Sequence, residues 1–466
     1  MRKKSRTSSN DFGKLSRASC ETGILAAGGF GTRLGLAGAF ANYAEIVSSE
    51  AAATISGNSA ASISCSSALS SLSCSSTEVT TAYNPAASDP FSQASAIVPV
   101  GVANSCASTF VNEHLRYVAK NGNDGNDGSK AAPWLTIQHA VNSTGAGDTV
   151  VVGDGVYQET VKFKVSGTAA APITLRSENK WRAKIAPTDT SANGDYVVWL
   201  ASLSYITVQD FEITGVSSSK AGVQIDHGDH NSVLGNEFHS IGNNGTGCMR
   251  TVAVEAASDY AVVAGNRIHN IGSALGLPGF CNQQHGISTY KGNGGIVQNN
   301  LIFELPHGFA LHFDVYGSSG WRVSNNTVVN VGHPTANSGG AFAFWCESGT
   351  CDNNIFNNNI FANTFGGQCF GEHAVSGTFG ATNKYQNNLL HNCGTNQMVN
   401  GVVENTISAD PLFVNATGTL TGDYHLQTPS PARNAGTASG AAATDFDGSS
   451  RPMGLKVDIG ALEFLE

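Results

Sequence analysis

The chain is poor in charged residues. Asp, Glu, Lys and Arg make up 13% of its 466 residues, compared with about 25% in an average globular domain. The net charge is −10 at pH 7, and we expect no nucleic-acid partner because phosphate binding requires clustered Lys and Arg. No apolar run reaches the roughly 18 residues that a membrane helix requires, so we also expect no membrane span.

The sequence also lacks the CxxC pairs that are typical of structural zinc sites. Among its ten cysteines, Cys346 lies close to Cys351 and Cys369 lies close to Cys393. Disulfides within these pairs would staple neighbouring loops and would indicate an oxidising compartment. Buried free thiols are the alternative.

The first 105 residues differ in composition from the rest. A basic start precedes an apolar stretch at 23–42, but Arg33 interrupts it, so the segment resembles a secretory signal only in part. Residues 47–105 are rich in Ser and Ala and low in complexity, which is typical of a linker or a disordered segment. We expect a secreted, extracellular protein with an atypical leader at 1–105.

The chain is rich in glycine and asparagine, and it contains an internal repeat. The chain has 54 Gly, and 41% of its residues are hydrophobic, which suffices for a sizeable core. Short apolar alternations bounded by Asn and Gly recur, each with a central Asn: Asn236, Asn266, Asn300, Asn326, Asn358 and Asn388. A period of 20–50 residues is typical of a solenoid, and no ten-residue helical stripe separates these units. The repeat therefore predicts an all-β parallel β-solenoid with stacked Asn side chains at its turns.

Three histidines follow this Asn repeat at a fixed offset. His239, His269 and His391 each lie three residues after a central Asn. Repetition at one position of every coil favours a structural role for them. The remaining histidines are better candidates for chemistry.

A second set of strands between the Asn turns predicts the face that carries chemistry. Aligning a small residue followed by apolar alternation places one residue of each coil in an outward row: Asp226, Glu255, Tyr290, His312 and Phe344. Neighbouring coils are about 4.8 Å apart. This register therefore predicts that His285 stacks near His307 and that Tyr290 lies near His312.

The ends of the repeat resemble a known group of proteins. YVAKNGNDGNDGS, APWLTIQHAV and GDTVVVGDGVYQETV, within residues 117–161, look like the amino-terminal entry of right-handed parallel β-helix proteins of the pectate-lyase-like superfamily, especially the group containing family 9 pectate lyases. The tail from ADPLF to DIGALEF resembles the closing segment of bacterial secreted β-helix proteins. The resemblance implies a right-handed β-helix over 111–408 and a closing segment over 409–466. A helix at roughly 134–141 is predicted to cap the first coil, and we expect a monomer.

The resemblance also implies a carbohydrate-active enzyme, and we expect a polysaccharide lyase that cleaves a uronate-containing glycan by β-elimination. Such a lyase needs a group that neutralises the carboxylate, a base for the C5 proton and an acid for the leaving oxygen. Arg250 is the expected neutralising group, Lys291 or His312 the base, and Tyr290 the acid. The other members of the candidate catalytic group are His285, His307 and Asp314.

Calcium is the expected cofactor, if one is present. Asp226 and Asp229 are the candidate ligands because carboxylate oxygens suit Ca²⁺, whereas Glu255 and Trp345 are expected to bind substrate. The acidic DDG-type motif of family 9 pectate lyases is only partly present in DHGDH at 226–230. We therefore do not transfer that family's calcium site or its catalytic lysine to this chain.

Three other functions remain open. A glycoside hydrolase would use Asp226 and Glu255, one coil and roughly 5 Å apart, as a retaining pair. A uronate C5-epimerase would use the same groups as the lyase. A non-catalytic adhesion protein would only bind glycan. The scarcity of cations counts against a lyase, since residues 201–400 contain only six: Lys220, Arg250, Arg267, Lys291, Arg322 and Lys384.

Overall fold

The computed structural model describes residues 24–26, 60–68, 71–76, 114–242, 249–272, 283–332, 339–365, 367–394 and 400–465. The chain divides into two compact units, Met1–Asn112 and Glu113–Glu466. In the first unit, Ala60–Ala68 pairs antiparallel with both Ile24–Ala26 and Ser71–Ser76. The rest of the predicted leader and linker lies outside the described residues.

The second unit is a parallel β-solenoid built from three long sheets, as the repeat predicted. The first sheet has eight strands: Val161–Lys162, Tyr196–Ala201, Ala221–Asp229, Thr251–Asp259, Gln284–Tyr290, Phe309–Tyr316, Gly340–Ser348 and Gln368–Ala374. The second sheet has eleven: His114–Val118, Asp148–Val152, Ile173–Ser177, Ile206–Gln209, Ser232–Leu234, Val262–Ala264, Ile296–Gln298, Arg322–Ser324, Ile355–Asn357, Lys384–Gln386 and Val402–Glu404. The third sheet has ten: Gly155–Tyr157, Ala183–Ile185, Glu212–Thr214, Glu237–His239, Arg267–His269, Leu301–Leu305, Thr327–Val331, Ile360–Thr364, Leu389–His391 and Ile407–Ser408.

The remaining elements are short. Thr350–Cys351 pairs with Thr378–Phe379, and Phe413–Asn415 pairs with Asp423–Leu426. A 3₁₀ turn spans Ser191–Asn193.

The core lies inside the coils, where one side chain in two points inward. Val and Ile fill the early coils, and aromatic rings fill the later ones. Phe344 belongs to this core: it is fully buried, and its ring lies 5.4 Å from that of Phe356. The prediction that Phe344 faces outward is therefore wrong, because inward Phe342, Phe344 and Cys346 alternate with outward Ala343 and Trp345.

A continuous ladder of buried Asn side chains runs along one turn of the coils. The amide of each Asn donates to the carbonyl oxygen of the Asn in the next coil, as from Asn300 to Asn326 at 2.9 Å. The prediction is confirmed for five members, but the fifth rung is Asn359 rather than Asn358. Asn358 instead adopts the left-handed conformation one residue earlier, and its side-chain oxygen accepts from the N–H of Thr437 at 2.9 Å.

The carboxy-terminal segment packs against the outer surface of the third sheet. Phe413, Tyr424 and Leu426 of this segment form a buried cluster with outward side chains of the sheet, including Phe303 and Val329. The apolar residues on that outer surface are thereby removed from water, which stabilises the later coils.

A short helix lies near the start of the solenoid. It spans Ile137–Ser143, and Thr136 caps it by accepting from the N–H of His139 at 3.2 Å. Ile137, Ala140 and Val141 are buried against the strands. That this helix closes the first coil stays a prediction.

Both proposed cysteine pairs are disulfide-bonded, Cys346 to Cys351 and Cys369 to Cys393. The bonds staple neighbouring segments of the later coils. Among the described residues, no helix has the length and apolar character needed to cross a membrane.

Candidate functional site

The outward surface of the first sheet carries most of the candidate residues, but in a different register from the predicted one. Glu255 pairs with Gln224 and Ser288 in the neighbouring coils, and Ser288 pairs in turn with His312. Asp226 lies opposite Ala257. The predicted row aligned Glu255 with Asp226 and His312 with Tyr290, and both alignments are wrong by two residues. The buried apolar column, rather than the outward residues, fixes the register. A slip of two keeps each side chain on the same face.

Tyr290 consequently lies opposite Asp314 rather than His312. The predicted retaining pair of Asp226 and Glu255 is also wrong, since Glu255 lies opposite Gln224 and binds Arg250 instead.

Glu255 is a buried carboxylate held by a cation. Its side chain is 1% exposed, and its Oε2 accepts from Nη2 of the half-exposed Arg250. The hydroxyl of Ser288 lies 3.5 Å from Oε1. Burial raises the pKa of Glu255 above its usual value, although Arg250 opposes that shift. Arg250 therefore serves first to compensate this carboxylate, and its exposed remainder faces the site.

His285 and His312 form a stacked pair. Their ring centroids are 4.2 Å apart and nearly parallel. Nδ1 of His285 accepts from the N–H of Phe309 at 3.2 Å. Burial lowers the pKa of both rings, and nearby Arg250 contributes, with the pKa of His312 reaching about 3. Both imidazoles are therefore neutral at pH 7, and a negative charge beside them would be needed to raise their basicity.

His307 does not join this pair. It is 1% exposed, and His285 stacks on His312 and Phe309 instead. The prediction that His285 stacks on His307 is wrong because the strands pair in a register two residues away from the predicted one.

Asp314 lies beside the carboxyl group of Glu347, a residue that the sequence pattern does not indicate. Burial, together with Glu347, raises the pKa of Asp314 to about 6. Glu347 is the extra residue of a β-bulge, since Val315 pairs with Cys346 and Tyr316 pairs with Ser348. A bulge redirects a side chain, and here it turns Glu347 toward Asp314. Glu347 thus favours the protonated form of Asp314, which takes up its proton close to neutral pH.

Aromatic and cationic side chains surround this carboxyl pair. Trp345 lies opposite Asp314 in the next coil and stacks on His373 at 4.5 Å. On the other side, the rings of Tyr290 and Tyr316 meet edge to face at 5.3 Å. The Tyr316 hydroxyl donates a hydrogen bond to Tyr290, and this bond raises the pKa of Tyr316 to about 12.

Lys291 lies beside these tyrosines. Its Nζ is 5.0 Å from the ring of Tyr290 and 5.3 Å from the ring of Tyr316. The structure thus brings Lys291 to the edge of the site, at the end of the strand that carries Tyr290.

The predicted calcium ligands do not form a cation site. Asp226 faces Nδ1 of His227 at 3.0 Å, and Asp229 faces Nδ1 of His230 at 3.5 Å. Among the residues that the structure describes, no group of three or more His, Cys, Asp or Glu side chains is placed to hold a metal ion. Calcium generally takes six to eight oxygen ligands, which this pair of carboxylates with imidazole neighbours does not supply.

The histidines expected to be structural lie on the third sheet. His239 stacks on His269 at 5.1 Å, and His269 stacks on Phe303 at the same distance. Nε2 of His239 lies 2.9 Å from Glu212, a partner that holds the ring in place.

Sequence reasoning missed Ser288, Glu347 and Tyr316, and it left His373 among the candidate histidines without a role. Aligning the inward columns of the coils would have identified Ser288 as the neighbour of Glu255. The outward alternation of their strands would have identified Tyr316 and His373. Glu347 has no comparable signal, because only the bulge brings it to Asp314.

Comparison with known proteins agrees with this fold. Residues 116–300 match the family model described as "Pel9A-like, right handed beta helix region", which confirms the resemblance to right-handed β-helix proteins of the pectate-lyase-like superfamily. The solved structure of pectate lyase Pel9A superposes with a TM-score of 0.51 at 17% identity, covering 76% of this chain and 96% of that one. At that identity the likeness is one of fold.

Two curated proteins share shorter stretches. The uncharacterized protein YwoF of Bacillus subtilis is 30% identical over 147 residues, which are 28% of this chain and 31% of YwoF. Pectate lyase L of Dickeya dadantii is 27% identical over 158 residues, which are 31% of this chain and 36% of that lyase. The chain thus spans about a third of the length of these relatives.

Proposed function

We propose that the protein is a secreted polysaccharide lyase that cleaves a uronate-containing glycan by β-elimination. The observation that carries the proposal is a neutral imidazole, His312, on the same strand face as the Asp314–Glu347 pair, with Arg250 close by. His312 and Asp314 are two residues apart on one strand, so their Cα atoms are about 7 Å apart. A base and an acid at this spacing suit the two sides of one sugar ring. The similarity to pectate lyase L and to Pel9A supports the substrate class.

The roles follow from the protonation states. His312 removes the C5 proton, and the electron pair forms the C4–C5 double bond as the C4–O bond breaks. Asp314, in its protonated form, gives its proton to the leaving oxygen. The exposed part of Arg250 pairs with the uronate carboxylate. That carboxylate also raises the pKa of His312 when it binds, because a nearby negative charge favours the charged imidazole, and this strengthens the base.

Tyr290 and Lys291 lie at the open edge of this arrangement. We propose that they bind the neighbouring sugar rather than transfer its protons, because Asp314 lies deeper and its raised pKa, about 6, suits a proton donor better than an exposed tyrosine or lysine does. No step is assigned to calcium. The two disulfides support the proposal of an oxidising, extracellular location.

A glycoside hydrolase is the second candidate, favoured by the same carboxyl pair. A carboxyl group with a raised pKa is the general acid of such enzymes. In that case Asp314 protonates the glycosidic oxygen, and water rather than His312 completes the reaction.

One assay separates these candidates. The protein is incubated with polygalacturonate, alginate, glycosaminoglycans and neutral glycans, with and without EDTA, while unsaturated products are followed in the ultraviolet beside new reducing ends. Unsaturation that survives EDTA supports the lyase, and reducing ends without unsaturation support the hydrolase. Neither signal on any glycan would refute both.

Variants then test the assigned residue. His312→Ala is expected to lose at least a hundredfold in rate, as removal of a general base does. His391→Ala, which changes a histidine on the third sheet, is the matched control and is expected to retain full activity. Equal activity of both variants would remove His312 from the mechanism.

A further inference from the structure

Three aromatic rings form a stack at the corner between the first and second sheets. The rings of Tyr205 and His230 are 4.8 Å apart and nearly parallel, and those of His230 and Tyr260 are 4.7 Å apart. The stack runs along the solenoid axis, one ring per coil. Its last member is well exposed, with Tyr260 at 51%.

The backbone at these positions is unusual for aromatic residues. Tyr205, His230 and Tyr260 all adopt the left-handed conformation, with φ between 53° and 57°. Bulky side chains are disfavoured there, whereas Gly and Asn are tolerated. Strain of this kind concentrates at functional sites. Three successive rings at a corner that favours Asn thus require an explanation beyond the fold.

The next two coils carry glycine at the same corner position. The backbone hydrogen bonds continue in series, from Tyr260 N–H to the Asn293 carbonyl and from Gly294 N–H to the Ser319 carbonyl. Gly294 and Gly320 therefore continue the row without a ring. A Cβ on Gly294 would lie 2.7 Å from the ring of Tyr260, so this ring packs onto bare backbone. A fourth ring of the stack would lie next to Tyr260, but Gly294 and Gly320 supply no side chain to fill that space.

The open place adjoins the candidate active site. Lys291 begins the turn that contains Gly294, and its Nζ lies over the rings of Tyr290 and Tyr316. Within the described part of the chain, Lys291 makes no ion pair with a carboxylate. A sugar ring stacked on Tyr260 would thus have an un-neutralised ammonium group beside it, on the side of the catalytic residues.

We propose that Tyr260 is a stacking platform for a sugar ring of the substrate, seated over Gly294 and Gly320, with Lys291 binding the carboxylate of that sugar or of its neighbour. The inference rests on the proposed function for its substrate class, a uronate glycan. It adds a binding subsite whose platform, Tyr260, lies two coils from Asp314, roughly 10 Å along the axis, and whose sugar lies over the coils between them. The stack behind Tyr260 holds its ring in a fixed orientation, which lowers the entropy lost on binding.

Two variants remove the subsite by opposite means. Tyr260→Asn deletes the platform and places at the left-handed position a residue that tolerates it. Gly320→Asn fills the open place, and the structure accommodates it because a Cβ on Gly320 would meet its nearest neighbour at 3.5 Å. Gly265→Asn is the matched control, since Gly265 is also left-handed and its nearest contact is 3.8 Å away, at another corner.

The test measures dissociation constants by calorimetry for long oligogalacturonates and long oligoalginates, with cleavage recorded separately. Tyr260→Asn and Gly320→Asn are each expected to weaken binding by about fivefold, the value of one ring stack. Gly265→Asn and the conservative Tyr260→Phe are expected to bind as the unchanged protein does. Thermal midpoints within a few degrees of that protein show that each variant is folded.

The outcomes separate this proposal from the function on which it rests. Weakened binding in both variants supports the subsite even if no glycan is cleaved, in which case the lyase assignment alone fails. Unchanged affinity in Tyr260→Asn and Gly320→Asn overturns the subsite even if cleavage is observed. Failure of both probes to bind the unchanged protein also overturns it.

Discussion

Replacing Arg250 by Ala tests the electrostatic centre of the site. Arg250 is the cation beside Glu255, whose side chain is 1% exposed. Without it, the hydroxyl of Ser288, 3.5 Å from Oε1, is the hydrogen-bond partner left to Glu255 among the described residues. Breaking a buried ion pair by removing one partner costs about 3–5 kcal/mol. The half-exposed position of Arg250 favours the lower end of that range.

Proton uptake sets an upper bound on this cost. When the ionised form is too costly, Glu255 takes a proton, and each pH unit above its unfolded pKa of about 4.3 costs about 1.4 kcal/mol. The bound is therefore about 3.7 kcal/mol at pH 7 and about 1 kcal/mol at pH 5. A carboxyl group whose folded pKa is raised lowers stability as pH rises through the interval between its unfolded and folded pKa values. The deficit of Arg250→Ala is thus expected to grow from pH 5 to pH 7.

Urea denaturation followed by circular dichroism measures this deficit. We expect Arg250→Ala to lose about 3 kcal/mol at pH 7 and about 1 kcal/mol at pH 5. The double variant Arg250→Ala/Glu255→Gln is expected to recover most of the loss, because it removes the buried charge. The control Arg182→Ala, whose pair with Asp154 is exposed, should lose no more than about 1 kcal/mol. A deficit at Arg250 that is small at both pH values would refute the reasoning.

Two further predictions concern the fold and the carboxyl pair. Asn326→Ala removes a buried rung and leaves the Asn300 amide, which donated to it at 2.9 Å, without its acceptor. Urea denaturation should show a loss of roughly 3 kcal/mol. The exposed control Asn142→Ala should change stability by less than about 0.5 kcal/mol, and equal effects of the two variants would contradict the ladder. Asp314→Asn removes a carboxyl whose folded pKa, about 6, lies above its unfolded value. The thermal midpoint of this variant relative to the unchanged protein should therefore rise from pH 4 to pH 7, and a constant difference would contradict the raised pKa of Asp314.

The fold was predictable from the sequence because its determinants repeat. Each coil must present an Asn at the same turn, and six such residues in series define the period without knowledge of any contact. The one error in the Asn ladder, Asn358 for Asn359, arose within the run of three Asn at 357–359. There the left-handed turn residue and the ladder residue are adjacent and chemically identical, so only the hydrogen bonds distinguish them.

The site was less predictable, because it depends on registers that outward residues do not determine. Glu255 and His312 were identified as candidates, but their neighbours were misplaced by two residues, since the inward apolar column sets the alignment. The pairing of Asp314 with Glu347 depends on a bulge in the strand Gly340–Ser348. This bulge lies at the end of the strand, where only Ser348 follows it. Too few residues remain for the reversed alternation to show, which explains why the sequence pattern did not indicate it.

The low charge of the chain, which counted against an anionic substrate, has a different meaning in the structure. A cation in an ion pair, such as Lys220 with Asp195 at 2.8 Å, contributes little net attraction to a ligand. Two lysines on the first sheet are held by aromatic rings instead: Lys162 lies 3.8 Å from the centre of the Trp199 ring, and Lys291 lies over Tyr290. A ring orients an ammonium group without neutralising it. The relevant quantity for a uronate is therefore the number of oriented cations without a carboxylate partner, and the scarcity of Lys and Arg does not exclude a lyase.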